Sequence, residues 1–273
     1  PNKRGKRGAD LKDSEVSKVA SALNLKVLKP ISLDDKIFRD EIESLDIDFL
    51  VVVAYGKLLP KWLLRHPKIM PVNVHFSILP IYRGASPIQS ALINGDSQSG
   101  VSFMQMTDAL DEGPVILNKS LEISKDDNKI TLEEKLTDLS IKNILKVLED
   151  LKKGSITPSE QNHSLATYCT KISKDDSLID FKDSATNIIN KFKAYFEWPG
   201  LSFIHRENRI KIHEISIVNE ESNGIAGSFN RIDSSGIYFN TNDLVVVITY
   251  LQFPNKNIIS SLDAFNSYRS LFE

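Results

Sequence analysis

The first half of the chain alternates between continuous apolar runs and amphipathic stretches. Residues 47–54 (IDFLVVVA) are rich in β-branched residues, which is typical of a strand buried on both faces of a parallel sheet. Shorter runs at 72–75 and 101–106 predict two further strands. Helical spacing follows from Thr131, in a capping-box sequence, and Gly154 marks its end. Strands that alternate with helices predict an α/β domain with a mostly parallel sheet.

The pattern changes after residue 154. Residues 155–173 are polar and show no clear element, so we predict a linker there. From residue 201 onward the apolar positions alternate with period 2, and turn signals such as Asn223-Gly224 separate the runs. This pattern predicts a small antiparallel barrel or sandwich. The expected domains are therefore 1–154 and 174–273, joined by the linker.

Composition excludes several classes of protein. With 41% hydrophobic and 26% charged residues, the 273-residue chain is neither collagen-like, disordered nor a coiled coil. Its only cysteine, Cys169, rules out a disulfide framework and suits a reducing cytosol. No apolar run approaches the roughly 20 residues of a membrane helix. A formal net charge of −2 excludes an overall basic coat.

Residues 1–8 (PNKRGKRG) nevertheless concentrate four cations without an acid. This opening is either an RNA contact, a solvated loop or a cloning remnant. Composition alone favours the solvated loop.

Asn73 and His75 are the first candidates for chemistry. They are two residues apart on a predicted strand, so they share one face near its carboxyl end, where α/β sheets place their sites. An amide donor beside an imidazole suits an oxyanion stabiliser beside an acid–base group. Taken alone, a polar strand end that meets water is the more common explanation. Asp111 follows a later strand and is a candidate to orient His75, with Asp108 and Glu112 as competitors.

Residues 77–80 leave this strand with apolar side chains and a proline. They form either the wall of a site for a flat ligand or a rigid turn, and Arg83-Gly84 then suits an anion contact or a helix cap. Dinucleotide-binding, P-loop, serine-hydrolase and zinc-protease motifs are absent from the sequence. Cys169 has Lys171 as a nearby base, and an inert, buried thiol is the better hypothesis.

A continuous string, NVHFSILPIYRGASPIQ at 73–89, closely resembles the signature of the folate-dependent formyltransferases, in which N-x-H-x-S-L-L-P precedes a helix. LDEG at 110–113 is similar to the second half of that signature. The segments VVVAYGKLLP, PIQ and MQM resemble the branch of the family that acts on initiator methionyl-tRNA. KISK at 171–174 and WPG at 198–200 are similar to that branch's linker and C-terminal domain, so the resemblance covers nearly the whole chain.

The resemblance implies a Rossmann-like formyltransferase domain at 1–154 and an OB-like tRNA-binding domain at 174–273. It also implies roles for ten residues: a catalytic trio, a folate-contacting segment and a basic tRNA-contacting loop. These are, in that order, Asn73, His75 and Asp111; Ser77, Ile78, Leu79 and Pro80; and Arg4, Lys6 and Arg7.

The implied reaction moves a formyl group from 10-formyltetrahydrofolate to the amino group of methionine on initiator methionyl-tRNA, for translation initiation. The expected protein is a cytoplasmic monomer that needs no metal and no membrane. Family members begin with a strand, a Gly-Thr-Pro turn, a helix and a second strand ahead of the position of Pro1, so we expect this chain to lack them. Two alternatives are a formyltransferase for a small-molecule amine and a catalytically dead RNA-binding fragment.

Overall fold

A computed structural model describes residues 3–4 and 11–272 of the chain. Contacts divide the chain into two compact units, residues 1–72 and 73–273. The domain boundaries expected from the sequence remain a prediction. Within the described residues, no helix has the length and apolar character needed to cross a membrane.

The first unit contains short helices and one longer strand. Its elements are β1 (Lys3–Arg4), β2 (Leu11–Lys12), α1 (Glu15–Ala22), α2 (Lys36–Glu43), β3 (Phe49–Val53) and α3 (Lys61–Leu64). Strands β1 and β2 pair antiparallel. The side chain of Ser14 accepts the Ser17 amide at the start of α1, and Asp35 accepts the Phe38 amide at the start of α2. Both helices therefore begin at residues that satisfy a free backbone N–H.

Strand β3 lies where the apolar run predicted it, but the expected burial of both faces is wrong. Val52 is buried, whereas Val51 and Val53 are 40% and 53% exposed. Successive side chains of a strand point to opposite faces, so only the face of Val52 is packed.

The next strand along the chain is β4 (Met70–His75). The elements that follow it are β5 (Arg83–Gly84), α4 (Pro87–Ile93), β6 (Gln98–Gln105), β7 (Val115–Glu122) and α5 (Lys129–Lys153). Strands β4, β6 and β7 are neighbours in that order, and β7 runs antiparallel to β6. The connection from β4 to β6 contains α4, as in the crossovers of α/β folds. This mixed sheet confirms the predicted α/β class.

Helix α5 packs against β6 and β7, and its Leu132 and Leu136 side chains are fully buried. It begins one turn earlier than the sequence pattern suggested. Asn128 is the N-cap residue, and Thr131 occupies the third helical position of the capping box. Asn128 accepts two backbone N–H groups, so it satisfies more of the helix start than Thr131 would. Gly154 ends the helix in a left-handed conformation, as predicted.

Residues 155–173 are not devoid of structure, and that expectation is wrong. They contain a 3₁₀ turn, His163–Leu165, and the strand β8 (Tyr168–Cys169). Strand β8 pairs in parallel with β5. A two-residue strand has no period, so its pairing with a distant segment left no pattern in the sequence.

The remainder of the chain is a small antiparallel β domain with two helices. Its elements are α6 (Ala185–Ala194), β9 (Leu201–His205), β10 (Asn208–Glu221), β11 (Phe229–Asp233), β12 (Gly236–Asn240), β13 (Leu244–Gln252), β14 (Ile258–Ser260) and α7 (Ser261–Phe272). The strand order is β11-β12-β13-β10-β9, with β14 also on β13, and these pairings are antiparallel. Phe181 stacks on Phe239 in the core, with ring centroids 4.2 Å apart. The antiparallel prediction is confirmed, and an OB-like barrel remains a prediction.

Candidate active site

His75 lies at the end of β4 and is 6% exposed. Its Nε2 atom is 2.9 Å from the carbonyl oxygen of Tyr82. A carbonyl oxygen only accepts hydrogen bonds, so Nε2 carries a proton. In a neutral imidazole Nδ1 is then the nitrogen that can accept a second proton. Nδ1 faces Oδ2 of Asp111 at 3.8 Å, which is longer than a direct hydrogen bond.

Asp111 connects the other members of the trio. Its Oδ1 atom accepts a long hydrogen bond of 3.4 Å from Nδ2 of Asn73, and its Oδ2 atom accepts the Gly84 amide at 2.9 Å. The residue has a left-handed backbone conformation, with φ of +52°. The structure thus brings Asn73, His75 and Asp111 together around one largely buried carboxylate.

Glu112 was a competitor for the carboxylate role, but its side chain lies elsewhere. Its Oε1 atom is 3.3 Å from Nη1 of Arg83 and accepts the Tyr168 hydroxyl at 3.1 Å. Of these two residues, Asp111 is therefore the carboxylate that faces the imidazole. The sequence left the choice between Asp111 and Glu112 open, because it depends on which of the two side chains the folded loop directs toward β4.

Residues 77–80 are pinned to the sheet by buried polar atoms. The Ser77 hydroxyl donates to the Ile81 carbonyl at 2.6 Å. On β6, Oγ of Ser102 accepts the Leu79 amide at 2.9 Å and lies 2.6 Å from the Ser77 carbonyl. Asn118 on β7 adds a hydrogen bond to the Leu79 carbonyl at 3.4 Å. The segment is therefore a fixed wall.

The side chains of this segment alternate in exposure. Ser77 and Leu79 are buried, whereas Ile78 and Pro80 stay partly exposed. Gly100 makes room for Ile78, since a Cβ atom there would lie 2.2 Å from Cδ1 of Ile78. The partly exposed residues offer an apolar surface that suits a flat ligand.

Tyr82 supplies the carbonyl that holds His75, from a left-handed conformation with φ of +59°. Its amide donates to Oγ1 of Thr167 at 2.8 Å, and its hydroxyl donates to Oδ2 of Asp96 at 2.6 Å. Burial, and then the bond to Asp96, raise the pKa of Tyr82 to about 12. The hydroxyl therefore remains a donor at neutral pH and anchors this turn.

Gly84 has a φ of +116°, and its neighbour across the β5–β8 pair is close. A Cβ atom at this position would lie 2.2 Å from the carbonyl oxygen of Cys169. Glycine is thus required both by the backbone conformation and by the close approach. The β8 segment, which the sequence presented as linker, is part of the support of the site.

Sequence reasoning missed Tyr82, Gln161 and Thr167 as parts of this site. Gln161 is buried and donates to main-chain carbonyls of the loop that carries Asp111. Isolated polar residues in a segment without periodicity give no local signal of such contacts. The signature string at 73–89 contains Tyr82 but gave this residue no role.

The structure also bears on the cysteine, metal-site and tRNA-contact candidates. Cys169 is only partly buried, and this burial raises the pKa of its thiol, so its inertness remains a prediction. Among the residues that the structure describes, no cluster of three or more histidine, cysteine, aspartate or glutamate side chains suits a metal ion.

Of the tRNA-contact candidates, Arg4 lies in β1, whereas Lys6 and Arg7 lie outside the described residues.

Comparison with known families identifies the class to which this fold and site belong. Residues 1–148 match the formyl transferase family model, and residues 171–269 match the model of the formyl transferase C-terminal domain. The chain therefore belongs to the formyl transferase family.

Two curated relatives carry the name of one enzyme of this family, methionyl-tRNA formyltransferase. The methionyl-tRNA formyltransferase of Legionella pneumophila (strain Corby) is 36% identical over 267 residues, covering 98% of this chain and 85% of the relative. The methionyl-tRNA formyltransferase of Sulfurihydrogenibium sp. (strain YO3AOP1) is 35% identical over 271 residues, covering 98% and 87%.

A solved structure shares the fold. WlaRD, a sugar 3N-formyl transferase whose crystal structure was determined in the presence of dTDP and 5-N-formyl-THF, superposes with a TM-score of 0.65. The match covers 88% of this chain and 81% of WlaRD at 21% identity.

Proposed function

We propose that this chain transfers a formyl group from 10-formyltetrahydrofolate to the amino group of methionine on initiator methionyl-tRNA, for translation initiation. The observation that carries the proposal is the convergence of Asn73, His75 and Asp111 at the end of β4. The relatives named methionyl-tRNA formyltransferase support the acceptor. The formylated folate present with WlaRD supports the donor.

In the proposed reaction, the methionyl amine attacks the formyl carbon. The attacking nitrogen becomes positive and the formyl oxygen becomes negative. Asp111 accepts one N–H of the Asn73 amide, and we assign the other N–H to the developing oxyanion. Such a preorganised donor is worth about 2.7–4 kcal/mol of transition-state stabilisation.

His75 moves the proton. The Tyr82 carbonyl holds Nε2–H, so Nδ1 receives the proton from the attacking nitrogen and passes it to the departing folate nitrogen. The carbon–nitrogen bond to the folate then breaks, giving tetrahydrofolate and the formamide. The Asp111 carboxylate, 3.8 Å from Nδ1, stabilises the imidazolium that forms between the two transfers.

The proposal assigns different residues to the two substrates. Partly exposed Ile78 and Pro80, within the fixed segment 77–80, form a wall for the folate ring system. Arg4, Lys6 and Arg7 and the C-terminal β domain bind the tRNA through its phosphates. In this proposal the protein acts in the cytoplasm as a monomer. It needs no metal, because the folate already carries the activated formyl group.

Single-turnover formylation of methionyl-tRNA by the full chain tests this proposal. Asn73→Ala, His75→Ala and Asp111→Ala are each expected to slow formylation by about 10²–10⁴-fold. His66→Ala changes a histidine that contacts the Leu45 carbonyl in the first unit and has no assigned role, so it is the matched control and should keep the wild-type rate. Near-wild-type rates in the three site variants would eliminate the trio.

The acceptor is tested separately with methionyl-tRNA, free methionine and amino-sugar nucleotides. We expect formylation of methionyl-tRNA. Formylation of a small amine alone would replace the substrate assignment. An inactive chain with normal tRNA affinity would indicate an RNA-binding fragment.

A further inference from the structure

Gln161 lies beside the candidate site without facing the reacting groups, and its amide is saturated with hydrogen bonds. It is 7% exposed. Its Nε2 atom donates to the carbonyl oxygens of Asp111 at 2.8 Å and Gly113 at 2.7 Å. Its Oε1 atom accepts from Nε of Arg83 at 3.1 Å and from Nη2 at 2.9 Å. Both amide protons and both lone pairs are therefore used.

This network requires the chemistry of glutamine. Main-chain carbonyls only accept and a guanidinium only donates, which fixes the orientation of the Gln161 amide. A glutamate would have no proton for the two carbonyls, and a lysine would have no acceptor for Arg83. An asparagine is one methylene shorter and would not span the gap from Arg83 to the loop.

Arg83, the residue behind Gln161, is fixed in turn. It is 1% exposed, so its charge needs a partner within the fold. Glu112 supplies the opposite charge at 3.3 Å, and Nη1 also donates to the Tyr168 hydroxyl at 3.1 Å. The guanidinium thus holds Gln161 on one side and Glu112 on the other.

As a result, Gln161 and Arg83 together bind three consecutive residues of one loop, 111–113. The carbonyls of Asp111 and Gly113 bind Gln161, and the carboxylate of Glu112 between them binds Arg83. Asp111 has a left-handed φ of +52°, a conformation that a residue with a side chain adopts only where its surroundings enforce it. Contacts to the main chain on both sides of Glu112 provide that enforcement.

We propose that Gln161 is a positioning residue for formyl transfer, fixing the main chain of residues 111–113 so that the Asp111 carboxylate stays against Nδ1 of His75 and the Gly84 amide. The inference rests on the proposed function for its kinetic consequence. Gln161 contacts the main chain of Asp111 and does not touch the reacting atoms.

The kinetic test compares Gln161→Glu and Gln161→Met with Asn162→Ala in the full chain. Gln161→Glu keeps an acceptor for Arg83 and loses both donors to the loop, while Gln161→Met loses both ends. We expect kcat to fall about 100-fold, the loss produced when a catalytic group moves by about 1 Å, with KM for both substrates nearly unchanged. Asn162→Ala removes only the cap of the adjacent 3₁₀ turn and should keep the wild-type kcat.

A double-mutant cycle separates positioning from stability. If Gln161 acts through Asp111, the Asp111→Ala/Gln161→Glu variant will be no slower than Asp111→Ala alone. Multiplicative losses in kcat, or a lowered melting temperature with unchanged kcat of the folded enzyme, would overturn the proposal.

Hydrogen exchange of the Gly84 amide gives a readout that is independent of activity. This amide donates to Oδ2 of Asp111, so its protection reports the placement of the carboxylate. Gln161→Glu is expected to speed its exchange about 10-fold, and Asn162→Ala to leave it unchanged. Unchanged exchange in Gln161→Glu would overturn the positioning role. A wild-type chain that fails to formylate methionyl-tRNA would overturn the proposed function alone.

Discussion

Oδ2 of Asp111 lies 3.8 Å from Nδ1 of His75 and accepts the main-chain amide of Gly84 at 2.9 Å. One carboxylate oxygen is therefore anchored by a backbone donor and directed at the imidazole. Because the donor belongs to β5, the geometry of the His75–Asp111 pair depends on the pairing of β5 with β8.

Gly84→Ala tests this dependence. The added Cβ would lie 2.2 Å from the Cys169 carbonyl, and the φ of +116° is strained for alanine. We expect a loss of about 1–3 kcal/mol in the free energy of unfolding, together with slower formylation. Gly56→Ala is the matched control, because a Cβ there meets nothing within 4 Å. Equal melting temperatures and equal formylation rates for the two variants would contradict the close β5–β8 approach.

Ser102→Ala tests the support of the segment 77–80. The Leu79 amide loses its acceptor on β6, and an unsatisfied buried donor costs about 1–3 kcal/mol. If this segment walls the folate, part of that cost will appear as a raised KM for 10-formyltetrahydrofolate, with little change in KM for methionyl-tRNA. Ser99→Ala, at a buried serine of the same strand, controls for the loss of a hydroxyl. The idea fails if both serine variants show the wild-type KM for the folate.

Asp127→Asn tests a pH-dependent contribution to stability. Burial by itself would raise the pKa of Asp127, but hydrogen bonds from Lys135, the Ser124 amide and Thr131 together hold it below its ordinary 3.8. Its carboxylate therefore stabilises the fold above the unfolded-state pKa, and this contribution disappears as the pH falls through the lowered value.

The variant should accordingly lose about 1–3 kcal/mol in the free energy of unfolding at pH 7, and the deficit should shrink as the solution is acidified below the ordinary pKa of 3.8. Melting temperatures across this range measure the effect. Asp126→Asn changes the adjacent, exposed carboxylate and should show no comparable deficit. A deficit that stays constant with pH would refute the assignment to the carboxylate charge.

The salt dependence of tRNA affinity tests the basic opening of the chain. Contacts to phosphates release counterions, so the logarithm of the association constant should fall linearly with the logarithm of salt concentration. Lys6→Ala is expected to reduce the steepness of that line by about 1. Lys146→Ala removes a charge from an exposed residue of α5 and should leave the slope unchanged. A flat response of the wild-type chain from low to physiological salt would remove the phosphate contacts from the proposal.

The fold class could be predicted largely from the sequence because the longer elements each have their own period. The run at 47–54 and the period-2 alternation after residue 201 are properties of neighbouring residues. Burial on both faces of β3 could not be predicted in the same way, because the exposure of Val51 depends on what packs against it.

The candidate trio could be predicted only in part from the sequence. Asn73 and His75 share a face of one strand, so their proximity follows from a spacing of two. The choice of Asp111 over Glu112 required coordinates, because adjacent residues of a loop turn their side chains in directions that no periodicity governs. The role of Gln161 could not be predicted, since its four hydrogen bonds join segments far apart in the chain.

The sequence by itself determined the alternation of longer strands and helices in the first half, the change to an antiparallel domain and the signature string that points to the formyl transferases. These features are encoded by residues close together in the chain. Only the tertiary structure decided which carboxylate faces His75 and which buried amide holds its loop. The reason is that hydrogen-bond partners are selected by distance and direction in space, and β5, β8 and the loop at 107–114 meet only after the chain has folded.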